Sequence, residues 1–454
     1  MNQLKKYIVG VAILFSAAAC QKRLDINPTQ SIDASKALLT SSDVEAAMVG
    51  AYSDLGDANV YGGDMFVYSE LLADFNEINW SGTFQGLTQI YNKAIPVDNA
   101  FVANTWLDSY KVINDVNNVL SALDVVLAAK KNRVEGEAKF IRGSVYFDLV
   151  RLYAKPWNQG DPTQNDGVPL VLTPTRAPLD AQSQKARDKV AAVYTQVIKD
   201  LTEAESLLPA TNSFFANKYA AAAMLARVYL QKGDYTNAAA AANRVISSGK
   251  YQLEETYAEV FPFNPDNANE DIGSPGEYIF SMQVTSSQGV NDFDTYFSPI
   301  GGRGDIDIRD EHLALYEPND DRLNLFYDDG GVYRTGKFDM LYGNVPIIRL
   351  AEMYLIRAEA NFRLGTSVGA TPVSDINTIR ARVGLDPYTA GTLTLANILR
   401  ERKLELAFEG QALHDIKRLQ GSVGPLPWNS PKLVLPIPSR ERTVNSNLTQ
   451  NEGY

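Results

Sequence analysis

Cysteine and histidine are scarce in this sequence. Its 454 residues include one cysteine, Cys20, and two histidines, His312 and His414. A single cysteine excludes an intrachain disulfide, and two widely separated histidines are too few for a histidine-rich metal centre. The sequence therefore predicts no metal site and no cofactor, and it leaves calcium binding open.

Long apolar runs and an excess of basic residues are also missing. After the N-terminal segment, no apolar run reaches the roughly 18 residues that a bilayer-spanning helix needs. The chain has 42 Lys and Arg against 54 Asp and Glu, which gives a formal net charge of −12. Binding to nucleic acid or to an anionic lipid surface needs clustered basic residues, so this balance argues against both kinds of partner.

The N-terminus has the features of a bacterial lipoprotein signal. Lys5 and Lys6 precede an apolar run over residues 7–15, and the small residues 16–19 separate that run from Cys20. In such a signal the peptide is cleaved before the cysteine, which is acylated and becomes the first residue of the mature protein.

We predict a signal peptide over residues 1–19, a lipid on Cys20 and a polar tether over residues 20–35. A single body would follow over residues 36–454, held at the membrane by the lipid alone. An ordinary secretory signal cleaved after Ala19 is the alternative, because small residues also precede that position.

Helical periodicity dominates the remainder of the chain. Apolar residues recur at three- and four-residue steps in four stretches, namely residues 43–55, 100–127, 135–154 and 187–208. These stretches are predicted to be amphipathic helices. Near the C-terminus, Glu401, Glu405 and Glu409 recur at four-residue steps beside basic residues, a pattern that we interpret as salt bridges along one helix.

Two segments have the pattern of a helix–turn–helix repeat. In residues 217–249, two alanine-rich helical patterns meet at Gly233, and residues 347–384 look like a second copy with Gly365 at the turn. Small residues at the contacts of paired helices are typical of tetratricopeptide repeats. The predicted fold class is mainly all-α, with tetratricopeptide-like repeats, long loop-rich insertions and a few short strands, one of them at residues 278–284.

Two long stretches, residues 56–98 and 262–345, show little regular periodicity. They are rich in glycine, aspartate, asparagine and aromatic residues. Long irregular segments on a rigid scaffold often carry function. We predict that these two loops hold a ligand.

Several segments resemble, in the same order, the conserved segments of the SusD/RagB family of Bacteroidota outer-membrane lipoproteins. They are LDINPTQS (24–31), VGAYSDL (49–55), EAKFIRGSVYFDLVRLYAKPW (137–157), GVPLV (167–171), RLAEMYLIRAEA (349–360), INTIRARVGL (376–385), ILRERKLELAFEGQALHDIKR (398–418), LPIP (435–438) and NLTQNEGY (447–454). Gly143, Ala154 and His414 depart from the family pattern, at positions that we interpret as packing sites.

The resemblance implies a function. Members of this family are lipid-anchored proteins of the cell surface that cap a TonB-dependent transporter, bind a nutrient that is usually a glycan, and have no catalytic activity. The resemblance therefore implies that this chain is lipid-anchored in the outer membrane. Its partners would be an oligosaccharide and a SusC-like TonB-dependent transporter, with the helical repeats facing the transporter and the loops holding the sugar.

A sugar site needs aromatic platforms for the C–H faces of the rings and polar side chains for the hydroxyl groups. The candidate ligand-binding residues are Asp57, Asn59, Tyr61, Asp74 and Trp80 in the first loop and Tyr296, Arg303 and Asp305 in the second. Further polar side chains in the same stretches are Asn76, Asn79, Asp292, Asp294 and Arg309.

Each of these candidates has a structural alternative. Asp57 and Asn59 could equally be turn residues, and Asp74 could be a helix cap. Arg303 could form an ion pair within its own loop, and Trp80 could pack inside the protein or touch the transporter.

Two other functions stay open. The repeats could serve a protein- or peptide-binding adaptor instead of a glycan receptor. A glycoside hydrolase is less favoured, although the many acidic residues could include a catalytic pair. No nucleophile elbow, phosphate-binding loop or H-E-x-x-H segment occurs in the sequence.

Overall fold

The computed structural model describes residues 37–176, 184–263 and 276–454. The predicted signal peptide, Cys20 and the predicted tether lie outside the described residues. Residues 264–275, which belong to the second predicted loop, also lie outside them.

Helices account for most of the regular structure. In chain order they are α1 (Ser41–Leu55), α2 (Asp64–Ala73), α3 (Gln85–Tyr91), α4 (Ala100–Ser121), α5 (Ala128–Tyr153), α6 (Val190–Leu207), α7 (Lys218–Lys232), α8 (Tyr235–Ile246), α9 (Asp292–Phe297), α10 (Asp310–Leu313), α11 (Leu350–Leu364), α12 (Pro372–Arg382), α13 (Leu395–Glu405), α14 (Ala412–Arg418) and α15 (Ser439–Val444). The predicted fold class is confirmed. Across the described ranges, no helix combines the length and the apolar character that crossing a bilayer requires.

The strands are short. They are β1 (Ile78–Trp80), β2 (Tyr278–Met282), β3 (Ile306–Ile308), β4 (Phe326–Asp328), β5 (Tyr333–Thr335), β6 (Val345–Arg349), β7 (Ser422–Val423) and β8 (Leu426–Pro427). The predicted strand at residues 278–284 is present as β2.

Both predicted helix–turn–helix units are present. Helix α7 ends at Gly233, which adopts the left-handed φ of 76°, and the Asp234 side chain then accepts the backbone N–H of Asn237 to start α8. In the second unit, Gly365 has a φ of 66° at the end of α11, and the Thr371 side chain starts α12. Glycine tolerates this conformation because it has no Cβ.

The long helices pack in an order close to that of the chain. Helix α1 packs on α4, α4 on α5, α5 on α6, α6 on α7, α8 on α11, and α11 on α12. At Gly143 on α5, an added Cβ would lie 3.0 Å from the Cγ of Leu201 on α6. The glycine that departs from the family pattern is therefore at a packing position, where it lets the two helices approach closely.

Residues 56–98 are more regular than predicted. They contain α2, β1 and α3, so the interpretation of this stretch as an irregular loop is wrong. Helix α2 is buried on nearly all sides, with nine of its residues from Asp64 to Leu72 in the interior. A helix that is buried all round has no polar face and therefore no amphipathic period.

Residues 276–345 are a mixture of short elements. They include β2 to β5, α9 and α10, joined by turns. Strands β1, β3, β5 and β4 form one antiparallel sheet in that order, and β2 pairs with β6 in a second sheet. In the four-stranded sheet, Asn79 lies opposite Asp307 and Trp80 lies opposite Ile306.

The salt bridges predicted along the C-terminal helix have a different arrangement. Glu401 and Glu405 on α13 are buried, and their partners come from other elements of the fold. The guanidinium of Arg349 donates to Glu277 and Glu405 at 2.6 Å each and to Glu409 at 2.8 Å. These bonds connect β6 to the segment before β2 and to the region of α13, so they hold the tertiary structure together.

Candidate functional site

A row of polar side chains lies across the four-stranded sheet. Asn79 Nδ2 donates to Asp307 Oδ2 at 2.9 Å, and Arg334 Nη1 donates to Asp307 Oδ1 at 2.7 Å. The row continues to Arg309, which donates to Asn79 Oδ1 at 3.4 Å, and to Asp329, which accepts from Arg334 Nε at 3.3 Å. These residues come from β1, β3, β5 and the adjoining turns, so sheet pairing assembles the row.

An exposed aromatic ring with a cation beside it lies near β1 and β3. Phe84 is 38% exposed, and the Arg303 guanidinium lies 4.5 Å from the centre of its ring. Arg303 Nε donates to Asp305 Oδ2 at 2.6 Å, and its Nη2 donates to Thr83 Oγ1 at 2.9 Å. The ion pair predicted as the alternative for Arg303 is thus present, and it fixes the guanidinium against the ring.

Tyr296 packs against the Phe84 ring, with ring centres 6.3 Å apart, and Trp80 packs in turn against Tyr296. Trp80 is only 7% exposed, its Nε1 donates to Thr88 Oγ1 at 2.9 Å, and its ring centre lies 5.8 Å from that of Tyr296. Gly82 packs against the indole so closely that an added Cβ would lie 2.4 Å from Trp80 Cζ2. Both rings are buried, so the prediction of these two residues as platforms is corrected: Tyr296 packs edge-on against Phe84, and Trp80 packs against Tyr296.

The hydroxyl of Tyr296 is tied to a buried carboxyl group. It donates to Asp64 Oδ1 at 3.0 Å. Burial, together with the neighbouring carboxylate of Asp292, raises the pKa of Asp64 well above its usual range. Burial and the charge of Asp64 likewise raise the pKa of Tyr296. Both shifts favour the protonated forms, and the hydrogen bond between Tyr296 and Asp64 anchors the base of the site.

Tyr61 lies in the core. It is fully buried, and its hydroxyl donates to Asp148 Oδ2 on α5 at 2.6 Å. A ring without exposed surface cannot stack on a sugar, so the prediction of Tyr61 as a ligand residue is corrected. The residue instead fastens the segment before α2 to the longest helix.

Asp57 and Asn59 form a turn, as the structural alternative anticipated. Asp57 Oδ1 accepts the backbone N–H of Asn59 at 3.1 Å, and Asn59 Nδ2 donates to Asp108 on α4 at 2.7 Å. The contacts of both side chains therefore shape the turn between α1 and α2.

Asp74 organises the entry into β1. Its Oδ1 accepts the backbone N–H groups of Glu77 and Ile78 at 2.9 Å each. The side chain is buried and lines a cleft between α2 and α13. Asp74 is the C-cap residue of α2, as the alternative proposed, and its side chain also forms the turn into β1.

Of the predicted residues, the structure brings together Trp80, Tyr296, Arg303 and Asp305. Phe84 is not among the residues predicted from the sequence, although it lies four residues after Trp80 in the same segment. Asp307, Arg334 and Asp329 are not among them either. The alternation of a strand from Asp305 onward would place Asp307 on the same face, but no local signal pairs it with a residue 228 positions earlier.

Gly302 controls where Arg303 lies. A Cβ at this position would lie 2.1 Å from the carbonyl oxygen of Asp294 and 2.8 Å from that of Ser298. We expect Gly302→Ala to displace this loop and to lower the free energy of unfolding by about 1–2 kcal/mol. Thermal unfolding measures the change. Gly50→Ala on α1, where nothing lies within 4 Å, is the control and should cause no loss. Equal stability of the two variants would contradict the prediction.

Comparison with known proteins places the chain in a family. The family described as "Starch-binding associating with outer membrane" matches residues 24–230, and the one described as "SusD family" matches residues 334–425, which together are more than half of the sequence. The chain belongs to the SusD/RagB family. This result confirms the resemblance of the sequence segments, and it supports a carbohydrate-binding role.

Three relatives align with this SusD/RagB protein along almost its whole length. SusD-like protein P2 of Formosa agariphila is 28% identical over 99% of this chain and 100% of that protein. The structure of a putative sugar binding protein from Bacteroides vulgatus is 28% identical, with a TM-score of 0.80 over 92% of this chain and 99% of that one. A SusD superfamily protein from Bacteroides thetaiotaomicron is 26% identical, with a TM-score of 0.80 over 91% and 99% of the two chains.

The described part of the chain contains no group of three or more His, Cys, Asp or Glu side chains arranged to hold a metal ion.

Proposed function

We propose that this protein captures an oligosaccharide at the cell surface and passes it to a SusC-like TonB-dependent transporter. In this proposal, lipid on Cys20 holds the body at the outer membrane, and the sugar binds where Phe84 and Arg303 adjoin the polar row. Membership of a family described by starch binding and the outer membrane supports the role.

The observation that carries the proposal is the exposed Phe84 ring beside fixed charged groups. A sugar ring can place its C–H face on the aromatic ring while its hydroxyl groups bond to Arg303, Asn79 or Asp307. Such a shallow site fits weak binding, of about −4 to −8 kcal/mol, which corresponds to millimolar to micromolar affinity.

Capture without catalysis fits the arrangement of the carboxylates. Asp305 accepts a hydrogen bond from Arg303, and Asp307 accepts one from Arg334. Glycoside hydrolysis needs one carboxyl group that gives up a proton and a second that attacks or activates water. Carboxylates held by guanidinium groups are suited to fixing hydrogen-bond geometry.

Calorimetric titration with a panel of oligosaccharides tests the site. For whichever glycan binds, we expect Phe84→Ala to weaken the affinity roughly tenfold, since about 1.4 kcal/mol of stacking and apolar contact is lost. Phe214→Ala is the matched control because Phe214 is also exposed, at 56%, and lies just before α7. It should leave the affinity unchanged.

An equal loss of affinity in both variants would show that the sugar does not bind at Phe84. If no glycan binds and a soluble protein or peptide binds tightly instead, the adaptor function replaces the glycan receptor. Release of shortened sugars during the titration would point to a hydrolase.

A further inference from the structure

A cleft lies beside β1, whose first residue, Ile78, is one of its lining residues. It has a volume of about 420 Å³ and lies between α2, α13 and α14. Small-molecule sites have volumes of roughly 300–1,000 Å³, whereas close-packed interiors have few voids larger than a water molecule. The cleft is therefore large enough to bind a ligand.

The walls of the cleft are mainly apolar. The apolar surface comes from Ile78, Leu399, Leu404, Phe408, Ile416 and Leu419, and polar side chains that include Glu70, Asp74, His312, Gln411, Asp415 and Arg418 also line the cleft. Against the apolar part of the wall, the hydroxyl groups of an oligosaccharide would lose water without gaining partners, which is unfavourable. An alkyl chain would gain from the same transfer, by about 0.8 kcal/mol for each buried methylene.

The rim of the cleft carries two exposed cationic side chains. Lys403 forms an ion pair with Glu77. Arg400 donates from Nε and Nη2 to the carbonyl oxygen of Leu315, at 3.1 and 2.5 Å, and within the described ranges it forms no ion pair. An anionic group at the mouth would therefore find an exposed guanidinium that has no carboxylate partner.

We propose that this cleft binds an amphipathic carboxylate, with its alkyl chain between α2, α13 and α14 and its carboxylate on Arg400. Medium-chain fatty acids have this chemistry. The cleft shares no residue with the polar row or with the Phe84–Arg303 pair, so the proposal is independent of glycan binding.

Calorimetric titration of the folded protein with dodecanoate, below its micelle concentration, tests the proposal. We expect saturable binding of one molecule per chain. Ala73 and Ala412 line the cleft and are half-buried, so Ala73→Phe and Ala412→Phe should fill it and weaken the affinity at least tenfold. Circular dichroism and thermal unfolding will show whether these two variants keep the fold.

Arg400→Gln tests the charge at an exposed position, where loss of folding is not expected. It should weaken dodecanoate severalfold and leave the binding of neutral 1-dodecanol unchanged. Arg440→Gln, at another exposed arginine, is the matched control and should change neither. Absence of dodecanoate binding would overturn the proposal. Unchanged affinity for dodecanoate in folded Ala73→Phe and Ala412→Phe would overturn it too. So would an equal loss of affinity for dodecanoate and for 1-dodecanol in Arg400→Gln.

Discussion

Replacing Glu405 with alanine is expected to lower the free energy of unfolding by about 3–5 kcal/mol. Glu405 is fully buried, and its Oε1 accepts from Arg349 at 2.6 Å and also from Arg382. Its Oε2 lies 3.6 Å from Arg322 Nη1. Without this carboxylate, the positive charges of the three buried guanidinium groups are no longer fully neutralised, which destabilises the folded state. Chemical denaturation of the two proteins measures the difference.

The control is Glu452→Ala, since Glu452 forms an exposed ion pair with Lys155 at 3.2 Å. Exposed pairs contribute about 0–1 kcal/mol, so a similar loss in both variants would contradict the buried network.

The pH dependence of stability is a second test of Glu405. Neighbouring Arg382, Arg349 and Arg322 outweigh burial and lower the pKa of Glu405 to about 2. Its stabilisation is therefore present above the unfolded pKa of about 4.5 and is lost as the pH falls towards 2, where the variant and the native protein should converge.

Replacing Glu70 with glutamine is expected to stabilise the protein by about 3 kcal/mol at pH 8 and to have little effect near pH 4.5. Glu70 is buried on α2, where its carboxylate accepts the backbone N–H of Ala412 at 3.3 Å. Burial raises its pKa from 4.5 to about 7. The folded state therefore loses stability as the pH rises from about 4.5 through 7, because the buried carboxyl group must ionise.

Glutamine has the shape of the protonated side chain and stays uncharged, so it avoids that loss. Thermal unfolding of both proteins at pH 4.5 and pH 8, without added ligand, measures the effect. Glu255→Gln, at an exposed glutamate, is the control and should show the same difference from the native protein at both pH values. If the difference in stability between Glu70→Gln and the native protein were the same at pH 4.5 and pH 8, burial would not govern the ionisation of Glu70.

The helical scaffold could be read from the sequence. Helices α1, α4, α5 and α6 lie within or close to the four predicted stretches, and both turns at Gly233 and Gly365 are where the pattern placed them. These elements are long and half-exposed, so their apolar residues recur with the period of the helix. The family could also be recognised, and two of its segments, 49–55 and 137–157, lie on or largely on α1 and α5.

The local structure of residues 56–98 could not be predicted in this way. Helix α2 has no polar face, because α4, α9 and α14 pack around it. Strands of three residues, such as β1 and β3, are too short for alternation to be recognised. Their pairing is set by the packing of Ile78, Trp80 and Ile306 into the core.

The candidate site, too, could be predicted only in part from the sequence. The sequence placed predicted ligand residues around Trp80 and Arg303, because aromatic and charged residues cluster there without a helical pattern. It did not reveal which rings are exposed, and it missed the polar row, whose members meet only across paired strands.

The sequence by itself determined a helical repeat scaffold, the turns that connect its paired helices and membership of the SusD/RagB family. Only the tertiary structure decided that Phe84 is exposed while Trp80, Tyr61 and Tyr296 are buried, and that Glu405 lies in a buried ion network. The physical reason is that helical periodicity is local, within one or two turns, whereas exposure and ion pairing depend on segments that are far apart in the chain.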